Sequence, residues 1–208
     1  MIELLTADTP NGKKISIMLE EIKFDYKVTK INIFKDEQFK PEFKKISPFK
    51  KIPVIIDHET NKSVFESGAI LIYLGEKSGM FYKKDNRLEI NQWLMGQMAY
   101  IGPMLGQHHQ FHHYNPGKSE FGENRYFKIA TQIYKDLNER LADSNFLAGK
   151  DFTIADIATF PWIARHDWHD IGLKKFKNLT RWYEEISKRK AVQKGYDLLK
   201  KGEAIPKP

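Results

Sequence analysis

The 208-residue sequence contains no cysteine. That absence removes disulfide staples, thiolate metal sites and a protein-borne sulfur nucleophile together. Any sulfur chemistry must therefore use a thiol that a ligand brings. No apolar run approaches the ~20 residues needed to span a bilayer. The opening Met1-Ile2-Glu3-Leu4-Leu5 also lacks the basic region and apolar stretch of a signal peptide. No membrane partner is expected, and the cytoplasm is the expected compartment. Internal repeats and low-complexity segments are absent as well.

What is present is an ordinary globular composition, 41% hydrophobic and 29% charged, far from the low-hydrophobicity signature of disorder. The net charge of +7 raises the question of a polyanionic partner. However, the basic pairs Lys50-Lys51, Lys83-Lys84, Lys174-Lys175 and Lys200-Lys201 are short and interrupted. They read as a solvated basic surface suited to small anions, not as a nucleic-acid stripe.

The chain changes character near residue 80. Ile2 to Leu5 is a short apolar run; Thr9-Pro10-Asn11-Gly12 is turn chemistry; Ile15, Met18, Leu19 and Ile22 recur at helical spacing. Tyr26, Val28, Ile31 and Ile33 give an irregular second strand, followed by a weakly helical stretch from Glu37 to Lys45. Ile52 to Ile56 reads as a strand that begins at Pro53, and Ser63 to Phe65 follows it after a short turn. Ile70, Tyr73, Leu74 and Lys77 make a helix stopping near Ser78-Gly79. The expected order is βαβ, a helical segment, then ββα, over residues 1–78. Residues 79–86 read as a linker, and 87–208 as all-helical. The helical stripes there are Ile90-Leu94-Met98-Ile101, Tyr126-Ile129-Ile133-Leu137-Leu141 and Leu179-Trp182-Tyr183-Ile186. Thr153-Ile154-Ala155-Asp156 is a capping box with aspartate as its acid.

The run Ser47-Pro48-Phe49-Lys50-Lys51-Ile52-Pro53-Val54-Ile55, then Phe65-Glu66-Ser67-Gly68-Ala69-Ile70, resembles the glutathione-binding half of the cytosolic glutathione transferases. Phe152 to Ala158 is similar to the capping motif of that family's helical half. The resemblance implies an N-terminal thioredoxin-like α/β domain, with a cis-proline at Pro53, joined to an all-α domain. It also implies homodimers and glutathione, reduced or as its disulfide, as co-substrate without a metal. The family's usual catalytic residue near the first helix is tyrosine, serine or cysteine, and none precedes Ser16 here. Thr9 to Gly12 and Gly102-Pro103-Met104-Leu105-Gly106-Gln107 instead resemble the bacterial Nu-class group, whose members tend to reduce disulfides.

On that resemblance, Glu66 pairs with the γ-glutamyl ammonium of glutathione and Ser67 with its carboxylate at a helix N-terminus. The cysteinyl part pairs with the Ile52 backbone beside Pro53, and the glycine carboxylate meets Lys51 or Gln38. Thr9 and Asn11 are the candidates for holding the sulfur as a thiolate, since a free thiol of pKa about 8.5 is only slightly ionised at neutral pH. Gln107-His108-His109-Gln110-Phe111-His112-His113 has histidines at i, i+4, a spacing that could hold a metal. It lacks an acidic third ligand, and the resemblance places Gln107, His108 and Phe111 along the second-substrate pocket. Arg125 is a candidate contact from the partner subunit. The expected activity is glutathione-dependent disulfide reduction. Conjugation to electrophiles and a non-catalytic binding module are the alternatives.

Overall fold

The computed structural model describes residues 1–208. Four strands, β1 (Ile2–Thr6), β2 (Tyr26–Lys30), β3 (Val54–Asp57) and β4 (Lys62–Phe65), form one sheet in the order β2-β1-β3-β4. β1 pairs in parallel with β2 and antiparallel with β3, and β3 pairs antiparallel with β4. The helices of this half are α1 (Pro10–Ile22), α2 (Pro41–Ile46) and α3 (Ser67–Ser78). This is the thioredoxin-like arrangement that the βαβ then ββα order implies.

Alternation along the strands decides what each face buries. Leu5 and Val54, cross-strand partners, join Phe43 of α2 in one apolar cluster. Leu4 and Ile55, also partners, alternate to the opposite face and are fully buried. The expected strand through Ile33 stops at Lys30, because Asn32 caps a short 3-10 turn over Ile33–Lys35 by accepting from the amides of Phe34 and Lys35. α3 ends where sequence reasoning places it, with Gly79 in the left-handed region at φ 69°.

The chain divides into two compact units, Met1–Tyr82 with Arg189–Ala204, and Lys83–Lys188 with Ile205–Pro208. The first boundary falls inside the segment read as a linker. The second differs from the reading of 87–208 as one helical domain, because α10 (Lys190–Asp197) packs on α1 in the first unit. Its amphipathic face is visible in the sequence; the surface that face meets is not. Gly195 makes the approach possible: a Cβ there would lie 2.5 Å from the Ile17 Cα, and the Ser16 hydroxyl donates to the Gly195 carbonyl at 2.6 Å.

The second unit contains α4 (Arg87–Gly96), α5 (Gly102–His108), α6 (Glu120–Arg140), α7 (Ile154–Ile163), α8 (His166–His169) and α9 (Lys177–Ser187). Two π-helical stretches, Gln97–Ile101 and His109–Tyr114, widen the chain on either side of α5. Every residue of α7 is buried. The capping box at its start is complete: Asp156 accepts from the Thr153 amide at 2.9 Å and the Thr153 hydroxyl at 3.1 Å. The same carboxylate accepts from the Leu147 amide and the Trp182 indole, each at 2.9 Å. Burial pushes this carboxyl above the usual range, while the four donors hold it toward the ionised form.

Candidate functional site

Register gathers three segments at one end of the sheet. Leu5 opposes Val54, and Val54 opposes Phe65. The turn leaving β1 into α1, the approach to β3 and the exit from β4 into α3 therefore emerge together. These are the segments carrying Thr9 and Asn11, Ile52-Pro53, and Glu66-Ser67.

Thr9 is the N-cap of α1, its Oγ1 accepting from the Gly12 amide at 3.0 Å. A hydroxyl has one proton besides its two lone pairs, so this cap leaves Thr9 able to donate. Half-buried Asn11 follows Pro10 in the first turn. Gly12 is required by space: a Cβ would fall 2.3 Å from the Ala7 carbonyl oxygen and 2.6 Å from the Thr6 Oγ1. The first turn thus carries a hydroxyl and a carboxamide at the positive end of a helix.

The Ile52-Pro53 peptide is cis. Strand pairing begins at Val54, so Ile52 lies just outside the ladder. Buried Ser47 fixes the peptide ahead of it, donating to the Lys51 carbonyl at 2.8 Å and accepting from the Lys51 amide at 3.0 Å. Lys51 itself is exposed.

Glu66 caps α3 with φ 70° and ψ 118° and without a side-chain capping bond. A non-glycine residue at positive φ carries backbone strain that the surroundings must enforce. The result is an exposed carboxylate at the mouth of α3 next to a buried Ser67. Beneath them lies a residue that sequence reasoning missed. Lys14, 1% exposed, donates from Nζ to the Ser67 Oγ at 3.2 Å. Burial pulls its ammonium down to about 7, against the attraction of Glu66. The available signal was its position one turn before Met18 on the apolar face of α1. Its neighbour Lys13, also buried, pairs with Asp8 at 2.9 Å and Glu203 at 2.5 Å.

Gln38 lies on the short 3-10 turn Glu37–Phe39. Its Nε2 donates to the Ile33 carbonyl at 3.3 Å, and its Oε1 is buried with no hydrogen-bond partner. That bond uses one of the two N–H groups of the carboxamide.

In the helical unit, Gln107 is exposed on α5. Phe111 is half-buried, stacks on Tyr126 at 5.3 Å, and fills the space over Gly122. Arg125 is exposed on α6, its guanidinium 6.0 Å from the Tyr126 ring centre. The placing of His108 on a pocket wall is corrected: its ring is fully buried, packed against Phe127 and stacked on His112 at 4.9 Å. Its Nε2 meets the His169 carbonyl oxygen at 2.9 Å. His109 meets His169 Nε2 to Nε2 at 2.7 Å, and the Tyr134 hydroxyl meets His169 Nδ1 at 2.6 Å. The histidine run therefore joins a buried Tyr134-His169-His109 chain that its i, i+4 spacing does not reveal. No group of three or more histidine, aspartate or glutamate side chains is arranged to hold a metal.

Comparison with known proteins places the chain in a family. Residues 3–76 match the family model of the glutathione S-transferase N-terminal domain, and residues 116–190 that of the C-terminal domain. The disulfide-bond oxidoreductase YfcG of Escherichia coli is 42% identical over 207 residues, covering 96% of this chain and 95% of that protein. YghU, a second disulfide-bond oxidoreductase of that bacterium, is 36% identical, covering 93% and 73%. Among solved structures, a Pseudomonas putida glutathione transferase with one glutathione disulfide bound per subunit superposes with a TM-score of 0.88 at 38% identity, covering 97% of this chain and 92% of that one. A Burkholderia graminis glutathione transferase with two glutathione molecules per subunit gives 0.90 at 36%, covering 97% and 89%. With both domain models matched in order and full-length relatives well above 30% identity, the chain belongs to the glutathione transferase family.

Proposed function

We propose that the protein is a glutathione-dependent disulfide reductase that uses the ligand's own thiolate. The carrying observation is the meeting of Thr9, Asn11, Ile52 and Glu66-Ser67 at one end of the sheet in a chain with no thiol of its own. The naming of two relatives as disulfide-bond oxidoreductases supports the reaction class, and the glutathione disulfide in the Pseudomonas putida structure supports the ligand.

Glutathione lies with its γ-glutamyl ammonium on Glu66, its carboxylate on Ser67 and the α3 N-terminus, its cysteinyl backbone along Ile52 and its glycine carboxylate by Lys51. The sulfur then sits at the start of α1. Donation from Thr9 and Asn11 favours the thiolate, each donor to a charged acceptor being worth about 1.5–3 kcal/mol. The thiolate attacks one sulfur of a small disulfide. A new S–S bond forms, the old one breaks, and the expelled thiolate takes a proton from water. A second glutathione attacks the mixed disulfide in the same way, giving glutathione disulfide and the second product thiol.

The finer parts of the reading are Nu-class membership, a homodimer and a cytoplasmic setting. The Thr9-Pro10-Asn11-Gly12 turn supports the class. The exposed Phe34, Phe39, Phe49 and Phe65 of the first unit, the last two in edge contact at 6.4 Å, support a self-association surface. Arg125, exposed on α6, is the candidate contribution to a partner. No helix is long and apolar enough to cross a membrane.

Purified protein is assayed with glutathione against 2-hydroxyethyl disulfide and, separately, against chlorodinitrobenzene. Fast disulfide reduction with poor conjugation is expected. The reverse ratio would make the protein a conjugating transferase. Saturable glutathione binding without either rate would make it a binding module.

A further inference from the structure

An asparagine followed by glycine is chemically labile in water, because the glycine nitrogen, with no Cβ beside it, can close on the asparagine side chain. Asn11-Gly12 is the one such pair in the sequence. It lies in the first turn of α1, two residues beyond the Thr9 cap. In the ring-closing step the Gly12 nitrogen gives up its proton and bonds to Asn11 Cγ; the Cγ–Nδ2 bond breaks and ammonia leaves. Water then opens the cyclic imide. Attack at Cγ leaves aspartate, and attack at the backbone carbonyl carbon leaves isoaspartate. The net change is one water taken up and one ammonia released, with no oxidant or reductant.

Ring closure needs the backbone between the two residues to leave the helical range and the Gly12 N–H to come free. The fold opposes both. The Gly12 amide donates to the Thr9 Oγ1 at 3.0 Å. The next amide, that of Lys13, donates to the Thr9 carbonyl at 2.9 Å, and the buried Lys13 ammonium ties the same turn to Asp8 at 2.9 Å and Glu203 at 2.5 Å. Gly12 itself is packed so closely that a Cβ would fall 2.3 Å from the Ala7 carbonyl oxygen. Its nitrogen therefore reacts only when the first turn opens locally.

We propose that Asn11-Gly12 is a site of spontaneous deamidation whose rate is set by the α1 cap: Thr9, by holding the Gly12 amide, keeps that nitrogen away from the Asn11 side chain. The reaction exchanges a carboxamide for a carboxylate. α1 has no acidic residue in its first turn, so a carboxylate there suits the positive end of the helix, and the aspartate product loses a donor without opposing the fold. Beside a ligand sulfur the same charge disfavours the thiolate. Thr9 thus guards the chemical integrity of its neighbour in addition to capping the helix. The consequence for turnover rests on the reading of Asn11 as a thiolate donor; the modification itself does not.

The purified protein is held at pH 8, where hydroxide removes amide protons readily, and samples taken over time are digested briefly with trypsin. The Met1–Lys13 peptide contains no other asparagine or glutamine, so the mass gained when the amide nitrogen is exchanged for oxygen reports Asn11 alone. Folded wild-type protein should convert at least about tenfold more slowly than the same protein in urea. Thr9→Val should convert about fivefold faster than folded wild type, the factor by which losing a typical cap shifts a local opening. Thr9→Ser should match the wild type. Equal rates in wild type and Thr9→Val overturn the proposal. So does folded wild-type protein that converts at its rate in urea, a comparison that decides the matter even if Thr9→Val fails to fold. Disulfide-reductase turnover of the aged wild type should fall in step with the modified fraction, and Asn11→Asp should show the same loss. Modified protein of full turnover overturns Asn11 as the thiolate donor, a failure that the mass measurement keeps apart from failure of the site.

Discussion

Mild acid should loosen the helical unit through the buried His109–His169 pair. Both rings are buried, His169 completely. Burial, reinforced by neighbouring histidines and, for His109, Arg165, brings His109 down to about 3 and His169 well below its ordinary value. The folded state therefore keeps both rings neutral at pH 5. In the unfolded chain each takes up a proton near pH 6.5. A group whose folded pKa is depressed in this way lends stability at high pH and loses it as pH falls below 6.5. Between pH 7 and pH 5 each ring costs about 1.9 kcal/mol at 1.36 kcal/mol per unit, or about 4 kcal/mol for the pair. That is a large share of a typical folding free energy of about 5–15 kcal/mol. Urea unfolding at pH 7, 6 and 5, followed by tryptophan emission, measures it. Trp162 and Trp168 lie 5.9 and 5.3 Å from the His109 ring and report on this unit. The same series on His109→Gln should recover about half of the slope. A wild-type loss below about 1 kcal/mol by pH 5, or an undiminished loss in His109→Gln, would refute the reasoning.

Three further outcomes are expected. Asp156→Asn keeps the size of the side chain but turns an acceptor of four hydrogen bonds into a group that must donate; a loss of at least about 3 kcal/mol is expected in urea unfolding. Gly195→Ala drives a methyl into the Ile17 backbone and should cost about 1–3 kcal/mol, read as a lower melting temperature, with a smaller cost for Ile17→Val in the same assay. Thr9→Val removes both the α1 cap and the proposed thiolate donor. It should lose about 1 kcal/mol of stability and at least tenfold in disulfide-reductase kcat, whereas Thr9→Ser should retain most of both.

The first unit was legible because its signals are local. Period-two strands, the helical stripe at Ile15, Met18, Leu19 and Ile22, and the glycine after α3 each follow from a few adjacent residues. Glu66 and Ser67 were legible as a motif, but the positive φ at Glu66 was not, since only the surrounding fold imposes it. Lys14 escaped because a lysine one turn from an apolar stripe ordinarily reaches solvent with its head group. The histidine run was read for the wrong geometry. Its His108–His112 pair does stack, but the residue completing the chain is His169, 60 positions beyond His109. Two π-helical stretches also shift the faces around α5.

The return of α10 to α1 makes the first unit discontinuous in sequence, closed only by residues 189–204. During synthesis its sheet can pair early, but Lys13 meets Glu203 only after 190 further residues have been added. Until then that lysine faces an incomplete surface in which Gly195 has yet to cover Ile17. A protease cut between α9 and α10 therefore divides the first unit, not just the boundary between the two. Completion of the first unit therefore waits on the chain's last helix, and a nascent chain that ends before residue 189 lacks the surface that covers α1.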